Sequence, residues 1–454
     1  MNPILFTVIK ILIMVGFLFN VAALLTWLDR RLGGAIQDRI GPNRAYLPIF
    51  GKKFRVAGLL HTAADGLKFF FKEDFMPPKA DKVLFSIAPI LVMVPVLTLV
   101  TVIPFGDVIC ADRLISHPSA GHWVWHVVDR VGMCTGKTEP MHLMIAPLNV
   151  GLLFIFALAG QGIVGAAIAG VSSDNKFSLM GALRAASQMV SYEVAIGLSV
   201  VGAMMIYGTS RLDEMVRWQD ENCWGIFAQP LAFFLFFSAS IAEQKRIPFD
   251  LPEAESELVS GYFTEYSGMK FGMFYFAEYM EVVITAMVVT TIFLGGWALP
   301  FIHRDGITIA FGDTLIFAQR LPHLLLVLIG VLGFFGKVLF LCWIQAVVRW
   351  SLPRFRYDQL MRIGWRGLLP LALGNILVTG VVILGLKDAS PATAGVLRVL
   401  MDLSSLLVAS LVTFGVGRVV FGLFSPTHYE KFVVTSAQKV ADGRGGTIES
   451  PLRT

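Results

Sequence analysis

The stretch ILFTVIKILIMVGFLFNVAALLTWL, from Ile4 to Leu28, decides the fold; it runs 25 residues with one charge, Lys10. About 20 apolar residues in a helix are enough to cross a bilayer core. The run has no charged start and no small-residue cleavage site, and it is too long for a secretory leader, so it reads as a retained membrane helix. It stops at Asp29-Arg30-Arg31. Similar runs recur at 83–105, 144–169, 195–207 (with an amphipathic lead-in from 182), 225–242, 277–301, 322–347, 367–386 and 396–424. Backbone groups in lipid must bond internally, and none of these runs alternates like a barrel strand, so helices are expected throughout. The expectation is an all-α polytopic membrane protein of about nine transmembrane helices with long ordered loops. Composition agrees: 15% of the 454 residues are charged, against about 25% in a soluble domain.

The basic residues are spread unevenly. The loops after the first, third, fifth and seventh runs, with the C-terminal tail, hold about 25 of the 37 Lys and Arg, and the opposite loops about eight. The positive-inside rule then puts the N-terminus outside and the C-terminus in the cytoplasm. The net charge of +5 is a topology signal and does not imply nucleic-acid binding, because no basic surface interleaved with aromatics occurs. Of the four cysteines, Cys110, Cys134, Cys223 and Cys342, none forms a C-x-x-C pair, which argues against an iron–sulfur or structural zinc site. A Cys110–Cys134 disulfide is permitted on the outer side.

Two loops on the basic side are long. Loop 29–82 contains the turn signal Gly41-Pro42-Asn43 and a half-apolar helical stretch from Leu59 to Lys72. Loop 243–276 is dense in acids and aromatics and carries Pro248 and Pro252. Long ordered loops usually carry function. The outer loop 106–143 has His117, His122, His126 and His142; an i, i+4 pair could serve a metal, but an exposed amphipathic hairpin is the simpler reading. No inverted repeat of the transporter kind is evident. Residues 425–454 form a polar, Gly-rich tail.

The chemistry concentrates in AEQKRIPFDLPEAESELVSGY, Ala242 to Tyr262, continued by Glu265-Tyr266-Ser267-Gly268 and Ala277-Glu278-Tyr279. Seven carboxylates fall within the 36 residues 243–278. Acids at the membrane edge are expensive and suggest proton or ion handling. A capping box from Asp250 and Glu253 accounts for two of them, not all seven. Close carboxylates at low dielectric cannot all ionise, so some are poised to exchange protons. Elsewhere, Arg184, Gln188 and Tyr192 repeat at i, i+4, i+8 as one polar face. Asp65 and Lys68 have the spacing of a helix-surface pair. Arg354 and Arg356 have the setting of interface anchors, and Lys337 that of a paired cation or a proton carrier.

This acidic segment resembles the most diagnostic stretch of NADH dehydrogenase subunit 1, called the H subunit in bacteria, a membrane component of respiratory complex I. Four further motifs match in order: QDRIGPNR at 37–44, ADGLK at 64–68 with Lys72-Glu73, GALRAASQMVSYEV at 181–194, and LPRFRYDQL at 352–360. The resemblance covers about residues 1–386. It implies an eight-helix core with quinone-channel loops 29–82, 170–194 and 243–276; the additional ninth helix within 387–424 and the tail 425–454 lie beyond that shared core. It further implies a subunit of a proton-pumping NADH:quinone oxidoreductase in the bacterial inner membrane. Quinone is the substrate, while NADH, FMN and iron–sulfur clusters belong to partner subunits of the membrane and peripheral arms, including the one bearing the terminal cluster. Carried over residue by residue, the quinone channel takes Arg30, Arg31, Asp65, Lys68, Arg246 and Phe249. The proton-coupling cluster takes Glu193, Glu243, Glu253, Glu255, Glu257, Glu265 and Glu278, and no metal ligand is implied. One departure concerns Asp29, where the family pattern has Glu; its reach is one methylene shorter. The alternatives are a homologous subunit of a membrane-bound hydrogenase or other-donor dehydrogenase, a stand-alone proton-coupled transporter, and a purely structural anchor.

Overall fold

A computed structural model of the chain describes residues 3–49, 52–54, 56–109, 141–253, 255–300, 302–303, 306–311 and 314–387. The expected ninth span 396–424, the tail, Cys110, Cys134, His117, His122 and His126 lie outside these residues.

The elements run α1 (Pro3–Ile36), β1 (Leu47–Ile49), β2 (Lys52–Phe54), α2 (Leu60–Phe71), α3 (Lys82–Leu99), α4 (Gly151–Ala159), α5 (Gln161–Ser172) and α6 (Lys176–Tyr207). They continue with α7 (Leu212–Glu221), α8 (Gly225–Ala228), α9 (Pro230–Glu243), α10 (Glu255–Leu258), α11 (Gly268–Phe293), β3 (Ile302–His303), β4 (Gly306–Phe311), β5 (Thr314–Arg320), α12 (His323–Ser351), α13 (Tyr357–Arg362) and α14 (Leu369–Lys387). Seven helical segments among the described residues are long and apolar enough to cross a membrane, and α9, at 14 residues, is a shorter apolar helix. Helices carry the architecture as the hydropathy requires. The loops amend the all-α expectation with two small antiparallel sheets, β1–β2 and β3–β4–β5.

Local chemistry explains several ends. Asp81 caps α3 by accepting from the amides of Val83 at 3.0 Å and Leu84 at 3.2 Å. Asn175 caps α6 through the Phe177 amide at 2.9 Å, so α6 starts six residues before the amphipathic lead-in expected at 182. Gly208, at φ 68°, closes it with its amide on the Met204 carbonyl. Pro230 opens α9 from its first turn, which separates α8 from α9 within the run expected at 225–242. A π-helical turn, Ile363–Leu368, joins α13 to α14.

The core centres on α11. In its most apolar window 83% of the residues are buried inside the protein, against 22–50% for the other six segments. It packs against α1, α3 and α12, while α6 packs against α5, α9 and α14. The acidic loop is seated on α6 by backbone proximity. A Cβ on Gly181 would stand 2.7 Å from the Gly261 Cα, and Gly261 itself sits at φ +62°, where a side chain is strained.

Candidate functional site

Three groups of charged side chains meet α11 near its N-terminal half, each delivered by a different element. Gln188 on α6 helps fix the approach of the acidic loop: its amide donates to the carbonyls of Ala242 at 2.7 Å and Phe249 at 2.8 Å. The loop after α9 is thereby held at both ends. Phe249 stacks with Phe355, ring centroids 5.4 Å apart, and the Phe355 amide bonds the Pro248 carbonyl at 3.0 Å.

The first group surrounds Asp29 on α1. Its buried carboxylate accepts from the Tyr279 hydroxyl at 2.9 Å and from Arg349 at 2.5 Å, with Arg246 at 3.7 Å. The Arg246 guanidinium lies 3.8 Å from the Tyr279 ring centroid. The short Asp side chain therefore reaches partners on α11, on α12 and in the acidic loop. Arg30, the next residue, faces away and pairs with Asp65 on α2 at 2.5 Å.

The second group joins the acidic loop to α11. Asp250 is buried and accepts from Arg354 at 2.5 Å. Burial pushes its carboxyl above the usual range, and Arg354 offsets only part of that. Glu253 is pushed well above the usual carboxylate range, first by burial and then by Glu278 and Asp250 beside it. It shares a hydrogen bond with Glu278, whose Oε1 also accepts from the Tyr262 hydroxyl at 3.1 Å. Burial likewise holds the Tyr262 phenol protonated, so it acts as a fixed donor.

The third group lies deeper. Glu243, at the end of α9, has Glu281 of α11 and Glu193 of α6 within electrostatic reach. Lys245 has its ammonium 3.9 Å from Glu281 and is 1% exposed along its side chain. Glu243, Gln244 and Glu281 line a mostly apolar cavity of about 70 Å³, measured over water centres, bounded by α3, α4, α5, α6, α9 and α11. That volume admits several waters. Gln244 also lines a smaller cavity with Asp29, Arg246, Gln345 and Arg349. There the Gln244 Nε2 and both amide atoms of Gln345 are buried without a protein partner.

The arrangement sorts the expected residues. Glu193, Glu243, Glu253 and Glu278 converge around α11. Glu257 does not: it is exposed and pairs with Arg184 at 2.7 Å, which holds its carboxyl below the usual range. Glu265 accepts from Asn175 at 2.6 Å, away from the other acids. Glu255 belongs to α10, and its side chain lies outside the described ones. Of the quinone-channel set, Arg30 and Asp65 pair, Arg246 turns inward to Asp29, Phe249 joins the aromatic stack, and Arg31 and Lys68 are exposed.

Some sequence readings change. Asp65 pairs with Arg30, not with Lys68 one turn away. Asp250 bonds Arg354, so the capping role gives way to an ion pair, and Arg354 is more than an interface anchor. Lys337, open in the sequence between a paired cation and a proton carrier, donates to the carbonyls of Leu294, Gly296 and Ala298 at 2.7, 3.0 and 2.6 Å. Sequence reasoning missed Glu281, Lys245, Tyr262, Tyr279 and Arg349. Glu281 had a signal: it follows Glu278 by three residues in an apolar helix, the spacing of one helix face.

Comparison with known proteins completes the picture. The family model described as NADH dehydrogenase matches residues 9–380. The NADH-quinone oxidoreductase H subunit 1 of Geobacter sulfurreducens is 42% identical over 377 residues, covering 83% of this chain and 94% of the relative. The corresponding H subunit 1 of Cytophaga hutchinsonii is 40% identical over 359 residues, 79% of this chain and 91% of the relative. The H subunit of the same enzyme from Dehalococcoides mccartyi is 37% identical over 416 residues, 90% of this chain and 97% of the relative.

Proposed function

The chain belongs to the NADH dehydrogenase family, its relatives being H subunits of NADH-quinone oxidoreductase, and on that premise we propose that it shapes a quinone channel and couples quinone reduction to proton movement. The complex would sit in a bacterial inner membrane. Its other membrane-arm and peripheral-arm components would carry NADH, FMN and the iron–sulfur clusters.

Arg30, Arg31, Asp65, Lys68, Arg246 and Phe249 would border the quinone path, beginning between α1 and α2, where Arg30 and Asp65 pair. Arg246 and Arg349 connect that region to Asp29 and Tyr279 on the inner side. Quinone reduction adds two electrons and draws protons, so the charge near these cations changes. Glu253 and Glu278 already share one hydrogen bond and respond to such a change by shifting their proton. Glu243, Glu281 and Glu193 continue the acids toward the cavity. Each pKa unit of such a response is about 1.4 kcal/mol of coupling.

The observation that carries this reading is the placement of Glu278 and Glu281 on the most buried helix, each met by a second acid from a different element. Helix packing alone would favour apolar residues there. In the assembled complex, Glu278→Gln is expected to lower quinone turnover and proton translocation together. Wild-type values of both would overturn the role.

A further inference from the structure

Lys245 is the one charged residue among the largest fully buried side chains of the described residues. An unpaired ammonium taken out of water is costly, and a neutral side chain of similar volume would serve packing better. Its backbone adopts φ 57°, a left-handed conformation that turns the chain sharply after α9. That turn sends the side chain inward. The ammonium stops 3.9 Å from Glu281 and 5.7 Å from the ring centroid of Tyr262, whose hydroxyl donates to Glu278. Glu278 and Glu281 are one helical turn apart on α11. Lys245 therefore stands where the second and third acid groups adjoin.

Charges face this point from every side. Glu243 precedes it on α9, with Glu193 of α6 behind. Glu253 lies beyond Tyr262 and Glu278, within reach of Arg349. Arg246 acts on Glu281 from the Asp29 side. The two carboxylates Glu243 and Glu281 both have Lys245 as a neighbouring cation.

We propose that Lys245 is a positioning residue for proton transfer: its ammonium keeps a negative charge resident on the Glu243–Glu281 pair, so that the pair stays able to accept a proton arriving from Glu278. This rests on the reading of the α11 acids as a proton route. Without the cation, the pair gives up its proton less readily and passes it on more slowly.

The test measures proton translocation against pH by the assembled complex in sealed vesicles. Lys245→Met is expected to run about tenfold slower than wild type near pH ~6 and to recover toward pH ~9, since a one-unit displacement is about tenfold in the charged fraction. Lys245→Arg, which keeps the charge, is expected to restore the wild-type profile. A purely structural lysine would lower activity equally at all pH, so an unchanged profile shape for Lys245→Met overturns the proposal. Lys245→Gln replaces Lys245→Met where the latter does not assemble, with the same two outcomes. Glu243→Gln separates the readings. Wild-type pumping by Glu243→Gln at every pH removes the proton route itself. Arrest by Glu243→Gln beside a wild-type Lys245→Met profile removes the role of Lys245 alone.

Discussion

At the C-terminal end of α11, Lys337 gives hydrogen bonds to three backbone carbonyls and lies 4.4 Å from the Trp224 ring centroid. Gln219 beside it donates to the Thr291 carbonyl and accepts from the amides of Gly225 and Gly295. Polar groups there end on backbone, and the helix end is closed. Near the N-terminal half, Glu278 and Glu281 each face another carboxylate. Around them, Asp250 Oδ1, Gln244 Nε2 and the Gln345 amide are buried without protein partners. One helix thus carries a saturated polar end and an unsaturated one. Saturated polar groups hold a fold, whereas adjoining acids that share protons destabilise it and are retained for a task.

The contrast can be broken at either end. The largest effect on stability is expected at the closed end. Lys337→Met strands three carbonyls and should cost about 2–3 kcal/mol, read from unfolding of the purified complex in detergent, while leaving the pH profile of turnover unchanged. A shifted profile with intact stability would place Lys337 among the proton carriers instead.

At the open end the sign reverses. The Glu253 carboxyl titrates higher in the folded protein than in the unfolded chain, where a glutamate lies near ~4.3. Between those values the folded state binds the extra proton, so stability falls as pH rises through the window. Glu253→Gln removes that dependence and should be more stable than wild type at alkaline pH, with lower turnover. Equal alkaline stability would contradict it. The smallest effect belongs to Glu257, whose carboxyl Arg184 holds below the usual range. Its contribution is present above the unfolded value and lost as pH falls through the folded one. Arg184→Ala should therefore flatten the acid side of a melting-temperature profile slightly, because the pair is exposed and screened.

Seven membrane helices were legible because the bilayer enforces an apolar length, with shifted ends, whereas the run 225–242 breaks into α8 and the 14-residue α9. Polar residues continue a helix without a hydropathy signal, so α1 runs through Asp29-Arg30-Arg31 to Ile36, and α11 starts at Gly268 and not at 277. The strands, between two and seven residues long, fall below any periodicity test. The acidic segment was legible because charge beside apolar runs is costly wherever it folds. Its pairings were not. Asp29 and Arg349 stand 320 residues apart, and Asp250 and Arg354 stand 104 apart, so tertiary packing alone brings them together. The same distance in sequence hid why Glu257 and Glu265 leave the cluster: Arg184 and Asn175 claim them from α6 and its cap.

Glu281 tests the central claim most directly, because its place among the acids rests on the geometry of α11. The measurement is proton translocation and quinone turnover by the assembled complex in sealed vesicles, wild type against Glu281→Gln. Both are expected to fall together while assembly is retained. Wild-type turnover and wild-type translocation in an assembled Glu281→Gln complex would contradict it.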